Sequence, residues 1–209
     1  MKTAIQIILT IAILTLGYLC WESIQKPVRF KAARLMRQEK VIERLQQIRK
    51  AQRAYKSVYG KFTGSFDTLI SFIDKDSLPL IRMEGRLTDS MIEEGITELK
   101  ALKLGIIKRD TSYVAVKDSL FGRNFIADSI RYVPFTDQVE FEMAATTLKT
   151  ASGVEVPVFE AKVHNNVFLQ GLDRQLIVNI NEEAEAYEKY PGLKVGSLTE
   201  ANNSAGNWE

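Results

Sequence analysis

The stretch Val41–Gly60, VIERLQQIRKAQRAYKSVYG, decides how the chain is organised. Positions 41, 45, 48, 52, 55, 59 and 62 alternate spacings of four and three. Val41, Leu45, Ile48, Tyr55, Tyr59 and Phe62 are apolar or aromatic, and Gln52 is the exception. That is a heptad-like stripe along one face of a helix. Gly60 supplies the left-handed conformation that a helix C-cap requires. Two readings are open: a coiled-coil-like stem that packs on a partner or on the chain's own head, or an ordinary amphipathic helix over its own core.

Upstream, residues 3–21 carry no charge between Lys2 and Glu22 and are rich in Ile and Leu. As a helix the run measures about 28 Å, close to the ~30 Å hydrocarbon core of a bilayer. Tyr18 and Trp21 fall where an interfacial aromatic belt lies. No A-x-A site comes after it, and Leu19 precedes Cys20 where a lipoprotein signal wants a small residue, so the run reads as an uncleaved single-pass anchor. Cys20 is the only cysteine, so no internal disulfide forms.

Pro27 disfavours helical geometry at Lys26 and predicts a kink beyond the anchor. From Lys26 to Arg53 ten basic residues face only Glu39 and Glu43, a net of +8 in a chain whose total is +2. The basicity is local to the stem. Lys26, Arg29, Lys31, Arg34 and Arg37 are the candidates for anionic lipid headgroups. A nucleic-acid stripe is the weaker reading, because no nucleic-acid-binding motif accompanies it. The positive-inside rule taken alone puts the large domain in the cytoplasm. A short basic start ahead of an apolar run reads instead as a signal anchor that exports the large C-terminal domain.

The segment Ile48–Phe72, IRKAQRAYKSVYGKFTGSFDTLISF, resembles the N-terminal region of type IV pilins and type II secretion pseudopilins. Ala51, Ala54, Tyr55, Gly60, Phe62, Thr63 and Leu69 match their A-x-x-A-Y-x-x-x-x-G-x-[YF]-[TP]-x-x-x-x-x-L pattern. The chain departs from that family at the prepilin-peptidase site: Gly17-Tyr18 lies deep inside the apolar run, and the first glutamate is Glu22. The layout is also similar to the single-pass inner-membrane alignment proteins of pilus and secretion machines. The whole chain resembles an unnamed family of Gram-negative envelope proteins. These resemblances imply a periplasmic head and partners within a multiprotein envelope complex, including other copies of the chain.

Further along, Ser65 is the expected N-cap of a short helix carrying Phe66, Leu69, Ile70, Phe72 and Ile73, closed by Asp74–Asp76 and Pro79. Asp74 and Asp76 lack the glycine and distal glutamate of a calcium loop and read as a solvated turn. Thr88–Leu104 reads as a helix ended by Gly105, weakened by Gly95; Glu93 and Glu94 point apart and make a poor acid/base pair. From Ile106 the apolar period becomes two. Strands are expected around Val114–Val116, at Ile130–Phe135 and over Val139–Ala145, with a turn at 150–153. Val156 and Val158 hold one parity while Phe159, Ala161 and Val163 hold the other. That predicts a bulge or twist near Val158, and Pro157 predicts an edge strand, either protected or open to docking at Val156, Val158 and Val163. Leu172–Lys189 is the last helix, with Leu176, Ile177, Ile180, Ala184 and Tyr187 on one face and an acidic face of Glu182, Glu183, Glu185 and Glu188. That acidic face reads as solvated, or as a contact for a neighbouring chain's basic stem. Asn202–Glu209 reads as a frayed tail or a docking peptide.

Catalytic, cofactor and metal motifs are missing. His164 is the single histidine. There is no G-x-G-x-x-G, phosphate loop or G-x-S-x-G elbow, and no clustered Cys/His set. The expected class is α+β: a transmembrane helix (4–21, after a tail at 1–3), a basic amphipathic stem (22–62), and a globular domain (63–196) with a small antiparallel sheet, short helices and a C-terminal helix. A flexible tail (197–209) ends the chain. The expected function is a non-enzymatic scaffold in the bacterial inner membrane, bound to lipid and to other envelope proteins, with no cofactor, nucleic acid or small-molecule substrate. A pseudopilin-like filament subunit and a cytoplasm-facing membrane regulator are the alternatives.

Overall fold

A computed structural model describes residues 2–86, 88, 91, 97–150 and 153–209. Its fold is α+β, with a long N-terminal helix and two small antiparallel sheets. Helix α1, Lys2–Tyr59, runs without interruption for 58 residues and includes Pro27. The expectation that Pro27 takes Lys26 out of helical geometry is therefore corrected. A proline within a helix removes one i→i−4 bond and crowds one carbonyl, here that of Ser23, and the turns on either side carry the helix through. Among the described residues no helix is long and apolar enough to cross a membrane. Ala4, Ile5 and Ile8 of the apolar run have side chains outside the described set.

The chain divides into two compact units, Met1–Arg49 with Ile130–Glu209, and Lys50–Ser129. The first contains most of α1, the strands β3 (Glu142–Lys149), β4 (Glu155–His164) and β5 (Gly192–Gly196), the short helix α5 (Asn165–Phe168) and α6 (Arg174–Ala186). Its sheet has the order β3-β4-β5, all antiparallel. Val41, Leu45 and Ile48 of α1 are fully buried and share this unit's core with Phe159, Ala161 and Val195.

Several strand expectations are corrected here. β4 is the central strand where β5 pairs with it over Glu160–His164, covering the edge expected at Val163, and an edge over 155–159, as Pro157 predicts. It pairs with β3 along Glu155–Lys162 and with β5 along Glu160–His164. Pro157 is accommodated because β5 stops opposite Glu160, leaving 155–159 with a neighbour on one side only. The β3–β4 register is continuous, so no bulge accompanies the parity switch. Val158 and Phe159 are both buried because both faces of the strand are covered at that point. Val139 precedes β3, and Ile130–Phe135 is not a strand: a 3-10 turn spans Ala127–Ile130, and only Tyr132 makes a bridge, to Glu140. In the expected turn at 150–153, Ala151 and Ser152 lie outside the described residues, while Thr150 N–H donates to the Val154 carbonyl at 2.9 Å.

The tail is also corrected. Residues 205–207 run along the outer edge of β5, with a Val195–Gly206 bridge and paired hydrogen bonds between Lys194 and Asn207. Gly196 ends β5 at φ 76°, and a Cβ there would sit 2.0 Å from the Phe159 carbonyl oxygen, so the position is closed to other residues.

The second unit holds the end of α1, helix α2 (Phe66–Lys75), a ribbon of β1 (Ser77–Glu84) and β2 (Lys108–Ala115), and short helices α3 (Glu98–Lys103) and α4 (Val116–Leu120). Gly60, at φ 70°, donates to the Lys56 carbonyl and ends α1 as expected. Phe66, Leu69, Phe72 and Ile73 bury the inner face of α2. Phe72 meets Tyr55 edge-on at 5.2 Å. Two expectations change: β1 runs directly from α2 and includes Pro79, and Val116 starts α4 rather than continuing β2. Ile92, Glu93, Glu94, Gly95 and Ile96 of the expected 88–104 helix lie outside the described residues; α3 is capped by Thr97 and ended by Gly105 at φ 72°.

Gln52, the polar member of the α1 stripe, is fully buried. Its Nε2 donates to the Thr63 carbonyl at 2.6 Å, and its Oε1 accepts from the Thr63 N–H at 3.2 Å. One side chain thus pairs both backbone groups of the loop that turns the chain from α1 into α2. Gln52→Leu leaves both groups unpaired, and we expect it to destabilise the chain by about 1–3 kcal/mol despite the added apolar surface. Urea unfolding of the full chain in detergent micelles measures this; an unchanged midpoint would show that the pairing is dispensable.

Candidate functional site

Three surfaces bear on function, beginning with the N-terminal part of α1. Ile7, Leu9, Ile11, Ile13, Leu14 and Leu16 are 59–69% exposed, with Tyr18, Leu19 and Trp21 similarly open. At 100° per residue these positions surround the helix rather than forming one stripe. Apolar surface continues beyond the run at Ile24, Val28, Leu35 and Met36. Cys20 is exposed.

The basic segment beyond it splits into two groups. Lys26, Arg29, Lys31 and Lys40 are exposed, with Lys26 3.8 Å from Glu22 and Lys40 3.0 Å from Glu43. The hydrogen bond to Glu43 is the main cause of a raised Lys40 pKa. Arg37 is committed to the fold: its Nη1 donates to the Phe168 and Gln170 carbonyls at 3.0 and 2.8 Å, and its guanidinium lies 5.4 Å from the Phe135 ring centre. Arg49 reaches the Ser204 carbonyl and the Glu209 carboxylate. Burial lowers the pKa of Arg44. Arg34 is half-buried. Arg37, expected among the headgroup ligands, is thus held to the fold through Nη1, whereas Lys26, Arg29 and Lys31 remain exposed.

The proposed contact stripe is likewise internal. Val41, Leu45, Ile48 and Tyr55 are buried within the chain, which leaves them no surface for a partner; Tyr59 remains 48% exposed and Phe62 half-buried. Val158 and Val163 are buried and Val156 is half-buried; β5 covers the strand edge at Val163, while residues 155–159 keep one edge unpaired by β5. Tyr187, expected on the buried face of the last helix, is 70% exposed at its end. The acidic face of that helix, Glu182, Glu183, Glu185 and Glu188, is exposed. Asp74 pairs with Lys117 at 3.5 Å, and Asp76 accepts from the Tyr59 hydroxyl at 2.6 Å. That bond raises the Tyr59 pKa. Among the described residues no group of three or more His, Cys, Asp or Glu is placed to hold a metal ion.

The third surface is a cleft of ≈ 490 Å³ in the first unit. Arg34 and Gln38, one turn apart on α1, form one wall; Ile180 and Ala184 of α6 form another; Lys194 and Trp208 line the remainder. No sequence motif marks it, because its walls come from four separated segments. Beside it, Asn165 Nδ2 donates to Asn181 Oδ1 at 2.8 Å, and Asn181 Nδ2 donates to Asn166 Oδ1 at 2.9 Å. His164 caps α5, its Nδ1 accepting from the Asn166 N–H. One ring nitrogen of the single histidine is thus used in the fold. The only sequence signal for the network was Asn181, a buried amide within the apolar spacing of α6.

Tyr190 also lines the cleft, with its ring edge-on to His164 and Lys162 above it. Burial, aided by the charges of Glu142 and Glu160, pushes its phenol up to about 12. A raised acid pKa leaves stability intact below the unfolded value near ~10 and removes it as pH rises through the folded value. The wild-type minus Tyr190→Phe absorbance titration should therefore show a phenolate forming near 12. The variant should lose less stability across that alkaline window, and a difference midpoint near ~10 would contradict the burial argument.

Comparison with family models, with curated proteins and with solved structures finds no match for this chain.

Proposed function

We propose that the chain is a non-enzymatic, membrane-anchored scaffold of a bacterial envelope assembly, with residues 4–21 as the anchor and the folded head as the protein-binding part. One observation carries this reading: Ile7, Leu9, Ile11, Ile13, Leu14, Leu16, Tyr18, Leu19 and Trp21 stand 56–69% exposed around the helix. A helix that is apolar all round belongs in a large core or in lipid, and the folded chain offers these residues no core. The uncharged run is long enough for a hydrocarbon core once all of residues 3–21 are counted.

A second feature supports the same reading. At the far end of the run, Asp173, Gln175 and Leu176 share a cavity of ≈ 460 Å³ with Leu19, Glu22 and Lys26. The globular part of the first unit, on this reading, begins where the apolar run ends, and exposed Lys26, Arg29 and Lys31 fall at headgroup depth. On this reading the first unit rests at the membrane face and has no free stalk. The periplasmic assignment rests on the pilin-like segment Ile48–Phe72 and its signal-anchor layout.

The pseudopilin-like alternative is favoured by one particular observation. A single 58-residue helix is exposed and apolar in its N-terminal part and buried in the fold in its C-terminal part, and the apolar surface at Ile24, Val28, Leu35 and Met36 continues past the anchor. Such a surface suits packing against other copies.

Two measurements on native membranes separate these readings. Under the scaffold reading the chain stays in the pellet after alkaline carbonate washing, its intact mass retains residues 1–17, and a reporter fused after Glu209 is active in the periplasm. Release into the supernatant would overturn the anchor. Trimming within residues 1–17 would favour the filament subunit, and a reporter active only in the cytoplasm would favour the membrane regulator.

A further inference from the structure

We infer that the cleft between α1 and α6 binds a monoanionic carboxylate carrying an apolar body, with Arg34 as its principal ligand. The inference is independent of the membrane reading, because every wall of the cleft lies in the first unit.

Most polar groups around the cleft are already used. Asn207 is spent: its Oδ1 accepts from the Lys194 N–H, and its Nδ2 donates to the Gly192 carbonyl. Asn165 donates to Asn181. The Lys194 ammonium lies 3.8 Å from Glu160. Arg34 is different. Its Nε is shut off from solvent and has no hydrogen-bond partner among the described residues. Neighbouring Arg37 and Arg49, on the same helix, both end on oxygen acceptors.

The rest of this half-buried guanidinium lines the cleft and has no hydrogen bond or ion pair among the described residues; a cation so placed is completed by a ligand, ion or water. The guanidinium fork matches the two oxygens of a carboxylate. Charge selects the same class of ligand. With Lys194 matched by Glu160, the cleft retains Arg34 and Lys189 against Glu188, a surplus of one positive charge. One carboxylate balances it; a dianionic phosphate does not. The rest of the ligand faces Ile180, Leu193 and the Trp208 indole, which suit an aliphatic or aromatic body. Peptides ending in an apolar residue and free organic acids both carry this chemistry.

The test uses the full chain in detergent micelles with Trp21→Phe, so that emission reports Trp208 alone. N-acetyl-leucine should shift the emission saturably, and N-acetyl-leucinamide, without the charge, should bind at least tenfold more weakly. Arg34→Met should lose the response at least tenfold yet melt no lower than the parent without ligand, since it removes an unpaired donor. Ala184→Phe, which fills the cleft and leaves the charges and the single tryptophan in place, should also lose it. Acetyl-Ala-Ala-Leu binding more tightly than N-acetyl-leucine identifies a peptide end as the source; hexanoate binding as tightly as the peptide identifies a free acid. The proposal is overturned if no carboxylate gives a saturable shift, if the amide or inorganic phosphate binds as well, or if Arg34→Met binds like the parent.

Discussion

One helix has to satisfy two environments, and the rest of the structure is arranged around that constraint. Along α1 the described apolar side chains between Ile7 and Trp21 are exposed around the helix, while Val41, Leu45, Ile48 and Gln52 have no exposure at all. The backbone is satisfied internally throughout, apart from the bond lost at Pro27, so the change of environment is borne by side chains alone. Where the stripe is apolar it fills cores in both units. At Gln52, where it is polar, it holds the loop that sends the chain into α2.

The same economy governs charge. A run of ten basic residues suggests a uniformly cationic surface, yet its members divide by what the fold sets beside them. Lys26, Arg29, Lys31 and Lys40 point outward, whereas Arg37 and Arg49 turn inward to carbonyl and carboxylate oxygens. The choice of residue matches the division. The inward group is arginine, whose planar fork reaches two acceptors at once and stacks on Phe135, and most of the outward group is lysine, which carries a hydrated point charge. Phe135 adopts a left-handed φ of 65°, costly for an aromatic residue, and is held there with Arg37 against its ring and Gln170 on its carbonyl.

Legibility in the sequence tracked the strength of local signals. The stripe from Val41 to Tyr55, the Gly60 stop, the Phe66–Ile73 face and the alternation through Phe141, Met143 and Ala145 were all readable, because each repeats over several residues. The ribbon of β1 and β2 was not: much of its described surface is exposed, so SLPLIRME has no clean period, and Pro79 argues against a strand unless the pairing is seen. Pro157 marked a true local edge, since β5 ends opposite Glu160, but the signal did not extend to Val163, which β5 covers. Burial of the stripe against the chain itself, rather than a partner, depends on tertiary packing that spacing cannot express. The cleft was invisible for the same reason: Arg34, Ile180, Lys194 and Trp208 share no motif and meet only in the fold.

The central claim, that α1 passes from lipid into a folded core, is tested most directly by moving the single native cysteine. In a Cys20→Ser background, Leu9→Cys, Leu14→Cys, Lys31→Cys and Ile48→Cys variants are treated in native membranes with a water-soluble maleimide. Lys31→Cys should react at once. Leu9→Cys and Leu14→Cys should stay unlabelled until the membrane is dissolved, and Ile48→Cys until the chain is unfolded. Labelling of the Leu9 and Leu14 variants in intact membranes as fast as the Lys31 variant would contradict the account.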